Sequence, residues 1–223
     1  MIILKKKKTF YIEPKKKINN KKIVNSYFKI DPLKLDNKIY VIGNFENPEY
    51  FNLYKDELNK KFQIKEEFLN LNNPIINDLK KFNSVSIHLR RDKFSDQSKL
   101  SNNLLLKKSD EYTGFIIEYI NKSIKYFKNN IDNPKFFIWT NNKTQIEKYT
   151  NQLHISDFII IKNNNVINDF YLFQFSKHFI VSPSTFHWWG AWLNQNKNKI
   201  CVRPSNLNPS NNLKFWPKEW VQI

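Results

Sequence analysis

Residues 85–91 are Val85-Ser86-Ile87-His88-Leu89-Arg90-Arg91, a mostly apolar run that ends in two adjacent arginines. The part from Val85 to Leu89 has the length and composition of a buried strand. Only three of the 37 basic residues in the chain are arginines. A planar guanidinium can grip a phosphate through two parallel hydrogen bonds, which a lysine cannot do. The stretch therefore predicts an anion site at the carboxyl end of a strand, with a surface ion pair beside a core histidine as the alternative.

Further strand and helix candidates alternate along the chain. Apolar runs predict strands at residues 39–42, 136–139, 158–161, 179–181 and 200–202. Helical spacing and helix-start signals predict helices at residues 48–62, 74–82, 110–127, 144–151, 169–175 and 184–193. Five short apolar strands from residue 85 onward, separated by helices, favour an α/β fold with a doubly wound, mostly parallel sheet. The ligands of such sheets bind outside the carboxyl ends of the strands.

The composition excludes several kinds of site in this sequence. With glycine only at positions 43, 114 and 190, the 223 residues contain neither a G-x-G-x-x-G fingerprint nor a Walker A loop. A single cysteine, Cys201, excludes an intrachain disulfide and a cysteine zinc cluster. H-E-x-x-H and Asp-x-Asp patterns do not occur. We therefore expect side-chain cations and helix N-termini to hold any phosphate, without a metal.

The net charge of +17 is concentrated at the N-terminus, where residues 1–22 hold nine lysines against Glu13. This predicts a solvated or disordered basic arm, for which an anionic membrane surface or a nucleic acid is a possible partner. No apolar stretch approaches the ~20 residues of a membrane span. A cytoplasmic protein, or one peripheral at a membrane, is therefore expected.

A second candidate anion site follows the strand predicted at 179–181. Ser184 or Thr185 suits the N-cap of the next helix, whose free N–H groups and positive dipole end attract anions. Gly190, inside that helix, suggests close packing against a neighbour because it has no Cβ. Trp188, Trp189 and Trp192 also have a plain interpretation as core residues.

A third candidate is Asp169, placed by the pattern at the start of the helix Asp169-Phe170-Tyr171-Leu172. An ordinary N-cap carboxylate is one interpretation. An acceptor for the N–H edge of a guanine is the other, because a carboxylate can accept from two donors at once.

These stretches resemble motifs of the α-1,2-fucosyltransferases, glycosyltransferase family 11. Residues 85–91 are similar to the family's H-x-R-R motif. Ser184-Thr185-Phe186-x-Trp188-Trp189-Gly190-Ala191-Trp192-Leu193, with Asp169 and the run that follows it, resembles the C-terminal motif. The tail Phe215-Trp216-Pro217-Lys218-Glu219-Trp220 resembles the family's ending, so the resemblance spans about residues 37–223.

The resemblance implies a GT-B-like fold, a GDP-fucose donor, a galactose-containing glycan acceptor, inversion at the fucose anomeric carbon, and neither a metal nor another cofactor. It implies that Arg90, with Arg91 beside it, stabilises the diphosphate as catalytic residue. It further implies that His88 and Asp169 hold the guanine. By the same resemblance, the phosphates are capped at Ser184, Thr185 and Phe186.

Several departures from the family pattern are visible. Asp92-Lys93-Phe94 stands where the family usually has Gly-Asp-Tyr, and Thr140-Asn141-Asn142 carries amides where the family has acids. His187 stands where a serine is common, and the family's glycine-rich N-terminal loop has no counterpart. We therefore expect a basic arm at 1–36, a reduced N-terminal lobe or connecting helices at 37–83, and the donor-binding domain at 84–223.

Three functions remain open at this point. The first is transfer of fucose to the 2-OH of a galactoside, with the general base unassigned between His187 and Asp92. The second is a GDP-sugar-binding fragment without turnover, or one that borrows a lobe from another chain. The third is a basic protein that binds nucleic acid or an anionic surface, which is disfavoured because no recognised nucleic-acid motif accompanies the charge.

Overall fold

The computed structural model describes residues 9–12, 15–18, 21–24, 39–42, 45–70, 72–89, 102–140, 146–161, 165–205 and 214–223. The chain forms two compact units. The first comprises residues 1–57 and 208–218, and the second comprises residues 58–207 and 219–223.

The described residues of the first unit form four short strands: β1 (Thr9–Ile12), β2 (Lys15–Ile18), β3 (Lys21–Val24) and β4 (Ile39–Ile42). β1 pairs with β4 in parallel, and β2 pairs with β3 in antiparallel register. β4 confirms the strand predicted at 39–42. β1, β2 and β3 lie within residues 1–36, where the sequence predicted a solvated or disordered arm. The predicted domain boundaries at residues 36 and 83 stay predictions.

Helices and strands alternate in the remainder of the chain. The helices are α1 (Lys55–Lys61), α2 (Ile75–Lys81), α3 (Asn102–Asn130), α4 (Ile146–Thr150), α5 (Val166–Leu172) and α6 (Thr185–Leu193). The strands are β5 (Asn83–Leu89), β6 (Pro134–Thr140), β7 (Phe158–Ile160), β8 (His178–Ile180), β9 (Cys201–Arg203) and β10 (Val221–Gln222). Short 3₁₀ helices cover Pro48–Tyr50, Asn52–Tyr54, Glu66–Phe68 and Phe173–Phe175.

The six strands of the second unit form one all-parallel sheet in the order β7-β6-β5-β8-β9-β10. Counted along the chain, this order is third, second, first, fourth, fifth, sixth, as in the Rossmann dinucleotide-binding sheet. The order reverses between β5 and β8, where Val85 lies opposite His178 and Ile87 opposite Ile180. The predicted doubly wound parallel α/β fold is thereby confirmed.

One face of this sheet packs against α3 and α4. Val85, Ile87 and Leu89 of β5 belong to this core and are fully buried. The helices contribute the buried side chains Ile116, Ile117, Tyr119, Ile120, Ile124, Phe127, Ile146 and Tyr149. Phe115, which also belongs to α3, is 59% exposed and lies outside this core.

The other face of β5 carries Ser84, Ser86 and His88, because successive side chains of a strand point to opposite faces. The Ser84 hydroxyl donates to the carbonyl of Leu79 in α2 at 2.7 Å. The Ser86 hydroxyl lies 3.0 Å from the His187 ring in α6. This face is therefore covered by α2 and α6, and small polar residues let those elements approach the strand.

A buried tyrosine links α3 to the strands beyond the reversal point. The Tyr119 hydroxyl lies 3.1 Å from the carbonyl of Val181 and 2.7 Å from the carbonyl of Val202. Burial raises the pKa of this phenol well above its ordinary value, so the hydroxyl stays protonated and donates.

The described part of the chain contains no helix long and apolar enough to cross a membrane.

Candidate functional site

The candidate site lies where the strand order reverses, outside the carboxyl ends of β5 and β8. A ligand crevice forms at such a point because neighbouring connections leave toward opposite faces of the sheet. His88 lies one residue before the end of β5, and α6 begins a few residues after β8. The two sequence motifs that predicted anion sites thus flank the same reversal point.

His88 and the start of α6 contact each other. The His88 ring centroid lies 5.8 Å from the Phe186 ring and 5.5 Å from the His187 ring. The Ser182 hydroxyl donates a short hydrogen bond to the carbonyl of His88, which joins the chain after β8 to the end of β5. The two candidate features, the end of β5 and the start of α6, are therefore held together, and Ser182 links the chain between β8 and α6 to the end of β5.

Phe186 contacts aromatic rings from three other elements. Its ring lies 5.5 Å from Phe170 in α5 and 5.5 Å from Phe173 in the following 3₁₀ helix, in addition to His88. Phe170 adjoins Asp169 in the sequence. The structure therefore connects α5, β5 and α6 through one aromatic residue.

The start of α6 has the backbone arrangement of an anion site. Ser184 is the N-cap, with φ −142° and ψ 127°, and its carbonyl accepts the first helical bond from Trp188 N–H at 2.9 Å. The N–H groups of Thr185, Phe186 and His187 precede the first position that has an intrahelical acceptor. Together with the helix dipole they present positive partial charge. Ser184 is buried and Thr185 exposed, so Thr185 is the better placed of the two side chains to contact a ligand.

His187, in the first turn of α6, has a structural role between this helix and β5. The imidazole is fully buried, Nε2 lies 3.0 Å from Ser86 Oγ, and Nδ1 accepts from the Ser182 N–H at 3.4 Å. Because Nδ1 accepts, the ring proton lies on Nε2, which donates to Ser86. Burial, with His88 close by, lowers the pKa of His187 well below its ordinary value. Both nitrogens are occupied and the ring is out of solvent, so the interpretation of His187 as a general base is wrong.

Asp169 does not open its helix. α5 begins at Val166, and the N-cap is Asn165, whose side chain accepts from the Asn168 N–H at 2.9 Å. The sequence placed the start three residues late because Asn-rich stretches contain several equally good capping residues. Asp169 therefore lies in the first turns of α5, half-buried, on the helix whose Phe170 contacts Phe186.

Arg90, Arg91 and Asp92 directly follow β5 in the sequence but lie outside the described residues, as do Asn141 and Asn142. The roles given to the two arginines stay predictions. The roles of His88, Asp169, Ser184, Thr185 and Phe186 in binding a donor are likewise predictions, although their elements meet at one place.

Sequence reasoning missed Ser86 and Ser182, which anchor His187 and the end of β5. A signal for Ser86 was present in the alternation Ser84, Ser86, His88, which marks one face of β5 as polar while the other is apolar. Ser182 gave no comparable signal, since its contact is with a backbone carbonyl distant in sequence.

Comparison with known proteins gives a consistent result. Residues 3–223 match the family model described as Glycosyl transferase family 11, so the match begins well before residue 37, where the resemblance was expected to start. The chain is 30% identical over 189 residues to an alpha-1,2-colitosyltransferase of Escherichia coli, covering 82% of this chain and 61% of that protein.

A second relative is the O-antigen biosynthesis glycosyltransferase WbnK of Escherichia coli, 25% identical over 202 residues, with 86% of this chain and 63% of that protein covered. The chain therefore spans about three fifths of the length of the curated relatives it matches. No solved structure matches it.

Proposed function

The chain belongs to glycosyl transferase family 11, and from this premise we propose that it transfers L-fucose, or a closely related 6-deoxy sugar, from a GDP-linked donor to the 2-OH of a galactose-containing glycan. The observation that carries the proposal is the meeting of β5, β8 and α6 at the reversal point of a parallel sheet. His88 and Phe186 lie 5.8 Å apart there, beside the free N–H groups of α6.

The site suits a diphosphate with an attached nucleoside. The N-terminus of α6 offers N–H groups and a dipole to one phosphate. Arg90 and Arg91, which follow β5 in the sequence, would supply guanidinium forks for the other. Asp169 would accept from the N–H edge of the base, and His88 would contact the base from the strand end.

In the proposed reaction, the acceptor hydroxyl oxygen forms a bond to the anomeric carbon as the bond from that carbon to the β-phosphate oxygen breaks. The electron pair leaves with GDP, the hydroxyl proton passes to a base, and the anomeric configuration inverts. Negative charge grows on the β-phosphate in the transition state. Cationic groups already fixed around it therefore lower the barrier, because they stabilise the transition state more than the ground state.

The names of the relatives support this substrate class without fixing the sugar. One is an alpha-1,2-colitosyltransferase and the other an O-antigen biosynthesis glycosyltransferase. Colitose and fucose are both 6-deoxy sugars that differ at one ring hydroxyl. We therefore expect the choice between them to depend on one or two polar contacts in the sugar pocket.

The test is an assay of the purified chain with GDP-fucose and a galactoside, in which GDP release and the mass of the product are both measured. We expect a fucosylated galactoside from the wild-type chain. Arg90→Lys should reduce the rate by about 100-fold or more, since it keeps the charge but loses the fork. Lys122→Ala, at an exposed position of α3, is the matched control and should leave the rate unchanged.

Three outcomes separate the functions. Product formation that depends on Arg90 supports the proposal. GDP-fucose binding without product or hydrolysis favours the binding fragment without turnover. The absence of both binding and product contradicts the proposal.

A further inference from the structure

A small polar cavity lies near the N-terminal ends of the parallel strands, opposite the candidate donor site at their C-terminal ends. Its volume is about 250 Å³. Gln174 and Phe175 in its lining precede β8, and Gln195 follows α6. Because α6 runs from the carboxyl end of β8 back to the amino end of β9, these residues lie near the N-terminal ends of the parallel strands. The cavity is therefore separate from the proposed donor site.

The lining combines amides with aromatic rings. Four amide side chains, two phenylalanines and one leucine contribute: Asn59, Gln63, Gln174, Gln195, Phe62, Phe175 and Leu193. These side chains are all uncharged. An amide both donates and accepts hydrogen bonds, as a sugar hydroxyl does. An aromatic ring offers a flat apolar surface to the C–H face of a pyranose.

Other ligand classes fit this lining less well. An anion would lack a cationic partner among the lining residues, and an apolar ligand would leave several amides without hydrogen bonds. Within the described part of the chain, Asn59 Oδ1 is buried and has no hydrogen-bond partner. A ligand hydroxyl would reach this acceptor once the Asn59 side chain rotates toward the cavity.

The aromatic lining is held in place by neighbours. Phe62 packs edge-to-face on Trp189 at 5.8 Å, and it remains 49% exposed. Phe175 has Lys80 Nζ 4.8 Å from its ring centroid and Tyr171 5.0 Å away. The cavity volume is slightly below the ~300–1,000 Å³ of ordinary small-molecule pockets, which suits one sugar residue better than a nucleotide sugar.

We propose that this cavity, lined by Asn59, Phe62, Gln63, Gln174, Phe175 and Gln195, is a second carbohydrate-binding site that holds one neutral sugar residue of a glycan, separately from the donor crevice. The inference does not require the transfer reaction, because binding of a neutral sugar can be measured without a donor.

The test is saturation-transfer difference NMR on the full chain with methyl β-galactoside, methyl α-mannoside and N-acetylglucosamine as separate probes. We expect transfer to at least one probe, with a Kd of about 1–10 mM, as is consistent with a few hydrogen bonds. Gln174→Ala combined with Gln195→Ala should weaken binding about tenfold or more. A saturating amount of GDP should leave the signal in place.

The matched control is Gln152→Ala, at an exposed glutamine after α4 that is outside the cavity. Gln174 and Gln195 are themselves exposed, so the double variant should keep the far-ultraviolet circular dichroism of the wild type. The proposal is overturned if no probe receives saturation, if the folded double variant binds as the wild type does, or if GDP abolishes the signal. Loss of GDP binding with the sugar signal intact would contradict only the proposed donor site.

Discussion

At the scale of single residues, the buried imidazole of His187 holds together the elements on the two sides of the reversal point. It joins Ser86 of β5 to the backbone of Ser182 after β8, across the reversal point of the sheet. Burial lowers its pKa, so the ring is neutral in the folded protein at neutral pH. Protonation would remove the acceptor at Nδ1 and place a charge in the core.

This buried histidine predicts that the folded state loses stability as the pH falls. The folded pKa lies below the ordinary value of 6.5, so the unfolded chain binds the proton first. Stability is fully present above about pH 6.5 and decreases below it, by up to about 1.4 kcal/mol per pH unit for one proton. Urea unfolding of the wild type and His187→Gln between pH 7.5 and 5 measures this slope.

The buried His178 also has a pKa lowered by burial and by Lys177, so the variant should reduce the slope without abolishing it. Gln152→Ala, at an exposed position without a titratable group, is the control and should keep the slope of the wild type. Equal slopes for wild type and His187→Gln would contradict the neutral, hydrogen-bonded state of this ring.

The sequence predicted individual site residues unevenly, for physical reasons. Ser184 as N-cap and the proximity of His88 to Phe186 follow from strand ends and helix starts, which local patterns indicate. The place of Asp169 inside α5 was missed, because Asn165 competes as a cap in an Asn-rich segment. The function of His187 depends on partners distant in sequence, and no local pattern carries that information.

At the scale of elements, the packing of α6 on the 3₁₀ helix Phe173–Phe175 shapes the base of the crevice. A Cβ built on Gly190 would lie 2.4 Å from Cδ2 of Phe173, so only glycine allows this approach. Phe173 is fully buried, and its ring lies 4.9 Å from Trp139 and 5.0 Å from His187. Phe173 cannot move away without disturbing both neighbours. The close packing expected at Gly190 is confirmed.

Two glycine substitutions should therefore have opposite effects on stability. Gly190→Ala should cost about 1–2 kcal/mol, because overpacking outweighs the gain in helix propensity. Gly114→Ala lies in α3, where nothing is within 4 Å of the added Cβ, and it should stabilise the fold by about 0.5–1 kcal/mol. Chemical denaturation of both variants measures the difference, and a stabilising Gly190→Ala would contradict the packing of α6.

Most elements of the second unit could be predicted, since their apolar runs and helical stripes are local. α3 extends beyond its predicted range of 110–127 at both ends, to Asn102 and to Asn130, because neither extension continues the three-and-four apolar spacing. β10 is only two residues long and pairs with β9 through a distant contact, so no pattern indicates it. The interpretation as core residues is confirmed for Trp188 and Trp192, whose side chains are buried and stacked at 6.0 Å, whereas Trp189 is only partly buried.

At the scale of the whole molecule, sheet order and charge favour different partners. The all-parallel order with one reversal point favours a nucleotide ligand. The net charge of +17, with nine lysines in residues 1–22, would favour any polyanion. Three expectations stay predictions at this scale: the GT-B-like architecture, the independence from a metal, and an anionic membrane surface as partner of residues 1–22.

Replacing Lys5, Lys6, Lys7 and Lys8 by glutamine separates these two partners. We expect the variant to bind GDP as the wild type does, because the crevice belongs to the second unit. Binding of duplex DNA should be weak and should fall steeply with salt concentration, as nonspecific phosphate contacts do. Fluorescence anisotropy at two salt concentrations tests this. Tight DNA binding at physiological salt that the variant abolishes would favour the nucleic-acid function instead.

The most direct test of the central claim, a diphosphate site at the reversal point, is titration calorimetry with GDP. We expect the wild type to bind with a Kd of order 10 μM and Arg90→Lys to bind about tenfold or more weakly. Arg203→Lys is the matched control, because that guanidinium donates to Gln222 Oε1 at 2.7 Å between β9 and β10, and it should bind GDP as the wild type does. No binding of GDP by the wild type, or equal affinities for all three proteins, would contradict the claim.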